Sequence, residues 1–257
     1  MRHPANCAHP SVSYANVTHV TGIACGNGTL SSGRYGGIAP DAHIISLKIL
    51  DSNGQGSSSH AVAALRWIMD NAAKYNIRVV NLSIGSNDRK VNQPLKESVE
   101  TLWRRGIVVV AAAGNPDGRR GYQPPPPISP AVITVGTWED REYFIRHKPF
   151  SLFTKEVSYL PDIWAPGENI VSVLSPDYKF NMPNRSRENI IYPNYVSMSG
   201  ASMATPLVSG AASLLLERFP HAKPNDIKSA LMKMAATHGG LLDLSTCLTQ
   251  TGKVVLA

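Results

Sequence analysis

The sequence predicts an α/β fold in three layers, a mostly parallel β-sheet covered on both faces by helices. Short β-branched apolar runs alternate along the chain with amphipathic stretches of helical period, the pattern of a sheet buried on both sides. A length of 257 residues accommodates one large domain without forcing a division into two. Hydrophobic residues at 43% against charged residues at 17% give the balance of a folded domain rather than a disordered one.

Taken in order, residues 43–50 (His-Ile-Ile-Ser-Leu-Lys-Ile-Leu) read as a strand closed by the turn Asp51-Ser52-Asn53-Gly54. Ser58 to Tyr75 reads as a helix, with Val62, Ala63, Leu65, Ile68 and Met69 recurring at helical intervals. Arg78 to Ser83 is a strand, Pro94 to Arg105 a helix, Ile107 to Ala112 a wholly apolar strand, and Ala131 to Val135 a further strand. Ser202 to Phe219 is a helix rich in Ala, Leu and Val, a composition that buries most of its faces. Pro224-Asn225-Asp226 starts a last helix that runs through Ile227 to Ala235. Residues 139–161 and 176–195 hold no steady period and are expected to be surface loops, and Pro124 to Pro127 a stiffened loop.

The composition also excludes function classes. Lys and Arg total 25 against 18 for Asp and Glu, a net charge of +7, but the cations are scattered and no aromatic residues interleave with them. No nucleic-acid partner is expected from such a distribution. Cys7, Cys25 and Cys247 are an odd, widely spaced set, which argues against a disulfide framework or a zinc site. No ligand cluster or phosphate loop points to a metal or nucleotide enzyme. No signal peptide and no run of eighteen apolar residues is visible, so no membrane partner is expected and the chain as written is placed in the cytoplasm. Secretion stays open if the N-terminus extends further than Met1.

The segment that carries chemistry is residues 198–210, Met-Ser-Gly-Ala-Ser-Met-Ala-Thr-Pro-Leu-Val-Ser-Gly. A nucleophilic Ser gains from a helix N-terminus, where free backbone N–H groups and the helix dipole favour a developing oxyanion. The small residues Gly200 and Ala201 let a carbonyl approach Ser202, and Pro206 suits a first turn, where its missing N–H has no helical acceptor. For an isolated Ser before a helix, a plain N-cap is the alternative reading.

The whole string closely resembles the nucleophile motif of the subtilisin-like serine proteases, Gly-Thr-Ser-Met-Ala-Thr-Pro, with Ala201 in place of the usual Thr. Further blocks follow in the family's order. Residues 108–115, ending in Ala113-Gly114-Asn115, resemble the strand that delivers the oxyanion-hole Asn. In subtilisin, loss of that donor costs about 10²–10³ in turnover. Val80-Asn81-Leu82-Ser83-Ile84-Gly85 is similar to the strand that lines the primary specificity pocket and pairs with extended substrate. Gly37 to Ala42 and Trp164-Ala165-Pro166-Gly167 match two more landmarks, and Gly240 to Leu244 resembles the closing segment.

The resemblance implies Ser202 as nucleophile, Asn115 in the oxyanion hole, and Ser83, Ile84 and Gly85 in substrate binding, with Ile84 as an apolar wall beside the P1 residue. It implies a polypeptide substrate or peptide ligand and no cofactor for the chemistry. It admits a structural calcium, for which the sequence identifies no ligand loop. The oligomeric state is left open.

The pattern breaks near the N-terminus. The family's general base lies in Gly-His-Gly-Thr-His-Val-Ala-Gly, whereas residues 14–22 read Tyr-Ala-Asn-Val-Thr-His-Val-Thr-Gly. Aligned back from Gly22, His19 is the family's second, non-catalytic His, and Asn16 stands at the catalytic position. An Asn amide accepts no proton near neutral pH. On a helix His19 would sit three residues further on, about 5–6 Å away between Cβ atoms. A general base works within about 2.6–3.2 Å of its proton donor. The family's catalytic Asp lies on an early strand before the His, and only fifteen residues, none of them Asp or Glu, precede Asn16.

The expected organisation is therefore an irregular tail over 1–15, a peptidase domain over 16–246 that is incomplete at its N-terminus and lacks its first strand or strands, and a tail over 247–257. The expected activity is serine endopeptidase chemistry that is weak or inactive in this chain. The alternatives are a pseudoprotease that holds extended peptides, or a remnant.

Overall fold

The computed structural model describes residues 13–51, 56–84, 93–114, 129–147, 160–175 and 189–243, with the backbone alone for 13–16 and 192. Four short strands, Val79–Leu82 (β1), Val108–Ala112 (β2), Ile133–Thr137 (β3) and Ile163–Ala165 (β4), pair in parallel in the order β1-β2-β3-β4. The register sets Val80 beside Val109, Ala111 beside Thr134, and Gly136 beside Trp164. Every residue of β2, β3 and β4 is buried, which requires cover on both faces of the sheet and explains why these strands read as continuous rather than alternating apolar runs.

That cover comes from helices Ser58–Tyr75 (α2), Gln93–Arg104 (α3), Ala201–Arg218 (α5) and Pro224–Ala236 (α6), with α5 touching all four strands. Their ends follow from local chemistry. Ser57 caps α2 by accepting the N–H of His60 at 3.3 Å, and Asn76 closes it in the left-handed conformation at φ 50°. Pro224 opens α6, where the Asp226 carboxylate accepts the Lys223 N–H at 2.8 Å. One apolar core joins Leu65, Ile68, Val99 and Leu102 of α2 and α3 to Val109, Ile133, Val208, Ala211 and Leu231.

A second sheet, antiparallel, orders Ile170–Val173 (β5), Tyr195–Met198 (β7) and Ile190–Tyr192 (β6) as β5-β7-β6. The helix Ser13–Cys25 (α1) packs against both α5 and β5. Together these elements set the position at which β7 hands the chain to α5.

Three expectations are corrected. Residues 43–50 form no strand, and no ladder partner pairs with them among the described residues; Ile44 and Ile45 are exposed while Leu47 and Ile49 lean on the core. Apolar alternation marks a willing strand, but a strand exists only with a neighbour. Within 139–161, a 3-10 turn at Trp138–Asp140 runs into the helix Arg141–His147 (α4), too short to show a period and held by Phe144, buried edge-on against Trp164 at 5.3 Å. Within 176–195, residues 190–192 and Tyr195 belong to strands rather than a loop, because Tyr195 and Val196 are buried. The 52–55 turn, the proline tract at 124–127 and the segments 1–12 and 244–257 lie outside the described residues.

Candidate active site

Ser202 is the second residue of α5 and is half-buried, so its hydroxyl is held yet reachable. The chain enters the helix through Gly200 at φ 142°, a conformation that favours glycine. The entry is tied down by a hydrogen bond from Gly200 N–H to the Gly167 carbonyl at 2.7 Å, in the loop after β4. Gly167 is a glycine for a different reason: a Cβ there would run into Thr137 Cγ2 and approach the Gly200 carbonyl oxygen at 3.1 Å. First-turn N–H groups of a helix have no intrahelical acceptor, so Ser202 sits where partial positive charge favours an anion.

Pro206 lies inside α5 and shapes this site differently from the first-turn role that its spacing predicts. Counted from Ala201 it is the sixth helical residue, and the carbonyl it would have served four residues back is that of Ser202. A donor comes from elsewhere: Ser83 Oγ donates to Ser202 O at 3.0 Å. Ser202 Oγ donates in return to Ser83 O at 3.2 Å. Behind Ser83, Asn81 Nδ2 donates to Ser83 Oγ at 2.8 Å, and Ser209 Oγ donates to Asn81 Oδ1 at 2.8 Å. The end of β1 is thereby sewn to α5 by side chains at Ser83, Asn81 and Ser209.

Ile84 is half-buried and packs on the main core. Gly85 and Asn115 lie outside the described residues; in sequence Asn115 comes three residues after the end of β2 and directly after Gly114, whose φ is 87°. Asn16 is on α1, one turn before His19, and its side chain is likewise outside the description. The structure thus brings Ser83 and Ser202 into contact. The sequence reading missed Asn81 and Ser209, although a polar Asn between Val80 and Leu82 in a core strand was a visible signal.

His19 is fully buried. Its Nε2 lies 3.1 Å from both the Ile170 and Val196 carbonyl oxygens and donates between them, while the Ser172 hydroxyl donates to the His19 carbonyl at 2.8 Å. Nδ1 has no partner among the described residues. Burial outweighs the two carbonyl contacts and lowers the imidazole pKa to about 4. His19 is a clamp between α1 and the antiparallel sheet.

Among the described residues no group of three or more His, Cys, Asp or Glu side chains could hold a metal ion, and no helix is long and apolar enough to cross a membrane.

The sequence profile of the subtilase family matches residues 17–250, the span that contains β1, Ser83 and Ser202. This chain belongs to the subtilase family. It is a subtilisin-like serine protease domain, 33% identical over 235 residues to the serine protease AprX of Bacillus subtilis (strain 168), a match covering 83% of this chain and 51% of AprX. Subtilisin DY of Bacillus licheniformis is 30% identical over 208 residues, covering 79% of this chain and 64% of that protein. The solved structure of sphericase shares the fold at a TM-score of 0.64 and 23% identity, covering 91% of this subtilase and 72% of sphericase. The subtilase chain spans about half the length of the first curated relatives it matches. Subtilases act on polypeptides, commonly bind calcium and need no cofactor for catalysis.

Proposed function

We propose that this subtilase domain binds extended polypeptide and carries peptide-bond hydrolysis on Ser202, and that as the chain stands its turnover is very low because no general base serves that hydroxyl. One observation supports this above others: the Ser202 hydroxyl is spent on the Ser83 carbonyl, and among the described residues no imidazole hydrogen-bonds to it. His19 gives its N–H to Ile170 and Val196, and Asn16 cannot accept a proton at neutral pH. In subtilisin, loss of the His alone lowers turnover by about 2 × 10⁶, while the oxyanion hole and binding retain about 10³–10⁴ over water. Asn115 is assigned to that hole, Ser83 to Gly85 to the peptide-binding edge, and residues 16–246 to the peptidase domain.

A second reading, a pseudoprotease that holds peptides without cleaving them, draws on the position of Ser83 just after β1, which among the described residues is an end strand of its sheet. A sheet edge binds extended peptide through main-chain hydrogen bonds. Both readings are tested by incubating the full chain with a fluorophosphonate probe and following Ser202 by mass spectrometry. Slow, incomplete labelling is expected. Rapid, stoichiometric labelling would overturn the claim that the hydroxyl lacks a base, and peptide affinity without any cleavage would favour the second reading.

A further inference from the structure

We infer that Asn81 and Ser209 are positioning residues for Ser202, acting through Ser83 by a hydrogen-bond relay whose direction Pro206 dictates; this rests on Ser202 being the nucleophile. Pro206 has no N–H to offer the Ser202 carbonyl, so that carbonyl needs a donor from outside the helix. Ser83 Oγ, 3.0 Å away, is that donor. A hydroxyl has one proton, so Ser83 Oγ must accept from its other neighbour, Asn81. The 2.8 Å contact therefore comes from the Asn81 NH₂ group, which turns Oδ1 towards Ser209, whose hydroxyl donates to it at 2.8 Å.

Every polarity in the chain Ser209 to Asn81 to Ser83 to Ser202 follows from the missing N–H. Asn81 is half-buried on β1, and Ser209 is buried on α5 two helical turns beyond Ser202. The relay holds the helix N-terminus and the β1 end at a fixed separation. It also leaves the Ser83 backbone carbonyl facing the Ser202 hydroxyl at 3.2 Å. Cooperative networks of this kind fix geometry more tightly than their members do singly.

The test exploits an isosteric reversal. In Asn81→Asp the NH₂ donor becomes a carboxylate oxygen that can only accept, so the Ser83 proton turns towards residue 81 and leaves the Ser202 carbonyl without a donor. Ser209→Ala removes the anchor of the Asn81 amide. The readout is adduct formation with a peptide boronic acid on the full chain, followed by boron-11 NMR. The Ser202 Oγ–H adds to trigonal boron, a B–O bond forms, the hydroxyl proton passes to buffer, and boron becomes a tetrahedral anion. No enzymatic base is required, so the assay does not depend on turnover.

The wild-type chain is expected to give the tetrahedral signal, and Ser202→Ala to lose it. Asn81→Asp is expected to weaken the adduct about tenfold or more, as loss of one buried hydrogen bond would. Ser209→Ala should weaken it severalfold. Affinity for the corresponding peptide amide, which makes no bond to Ser202, should stay unchanged in Ser209→Ala, whose site on α5 lies outside the peptide-binding strand, an outcome that general destabilisation would not give. Equal adduct affinity in wild type and either folded variant would overturn the inference. So would a wild-type chain that forms no tetrahedral adduct, or a signal that persists in Ser202→Ala. If Asn81→Asp does not fold, Ser209→Ala decides alone. Fast hydrolysis or fast phosphonate labelling would instead overturn the low-turnover reading and leave the ranking of these variants intact.

Discussion

His19 Nε2 lies 3.1 Å from the carbonyl oxygen of Val196, which ties the first helix to the strand that leads into Ser202. The clamp holds only while the imidazole is neutral, because a proton on the buried Nδ1 would meet no acceptor among the described residues. An acid-sensitive stability follows. The imidazole titrates at about 4 in the folded chain, below its ordinary value of 6.5. The stability it confers is fully present above pH 6.5 and is lost as pH falls towards 4, since in that window the unfolded chain binds the proton and the folded chain does not. The shift corresponds to about 3 kcal/mol. Urea unfolding at a series of pH values should show this loss, and His19→Gln should flatten the part of the profile between those two values. A His19→Gln profile as steep as that of the parent would refute the assignment.

The pairing of Pro206 with Ser83 makes a coupled prediction. Ser83→Ala leaves the Ser202 carbonyl without its outside donor and should destabilise the chain by about 1–2 kcal/mol. In a Pro206→Ala background the helix supplies its own N–H to that carbonyl, so the same Ser83→Ala change should cost less by about 0.5–1 kcal/mol. Denaturant unfolding of the four chains measures the difference; strict additivity would show that Pro206 does not create the vacancy that Ser83 fills.

Gly167 offers a steric prediction. Gly167→Ala would drive a Cβ into Thr137 Cγ2, and should destabilise by about 2–3 kcal/mol, as overpacking does. Thr137→Ser deletes that methyl and keeps the hydroxyl that donates to Asp140 at 2.8 Å. The double change should recover part of the loss in thermal unfolding, though not all, because the Gly200 carbonyl still lies 3.1 Å from the added carbon. No recovery would place the strain elsewhere.

Much of the fold was legible from local pattern. Ser58 to Tyr75 was bounded residue for residue, because an Ser cap and an amphipathic face are both local signals. The wholly apolar run ending at Ala112 announced a strand buried on both sides. The antiparallel sheet was not legible: its strands are three or four residues long, and Tyr195 and Val196 show their purpose only once α1 covers β5. Residues 43–50 went the other way, with a strand's composition and no neighbour among the described residues to make it one.

By itself the sequence determined the resemblance of residues 198–210 to a subtilase nucleophile motif, since residue identities in a fixed order carry it. Only the tertiary structure decided what holds Ser202. The missing N–H of Pro206 is a local fact, but its consequence is met by Ser83, 119 residues earlier, and by Asn81, which meets Ser209 across 128 residues. Hydrogen-bond direction depends on which donors and acceptors folding brings together, and no periodicity or spacing along the chain encodes that meeting.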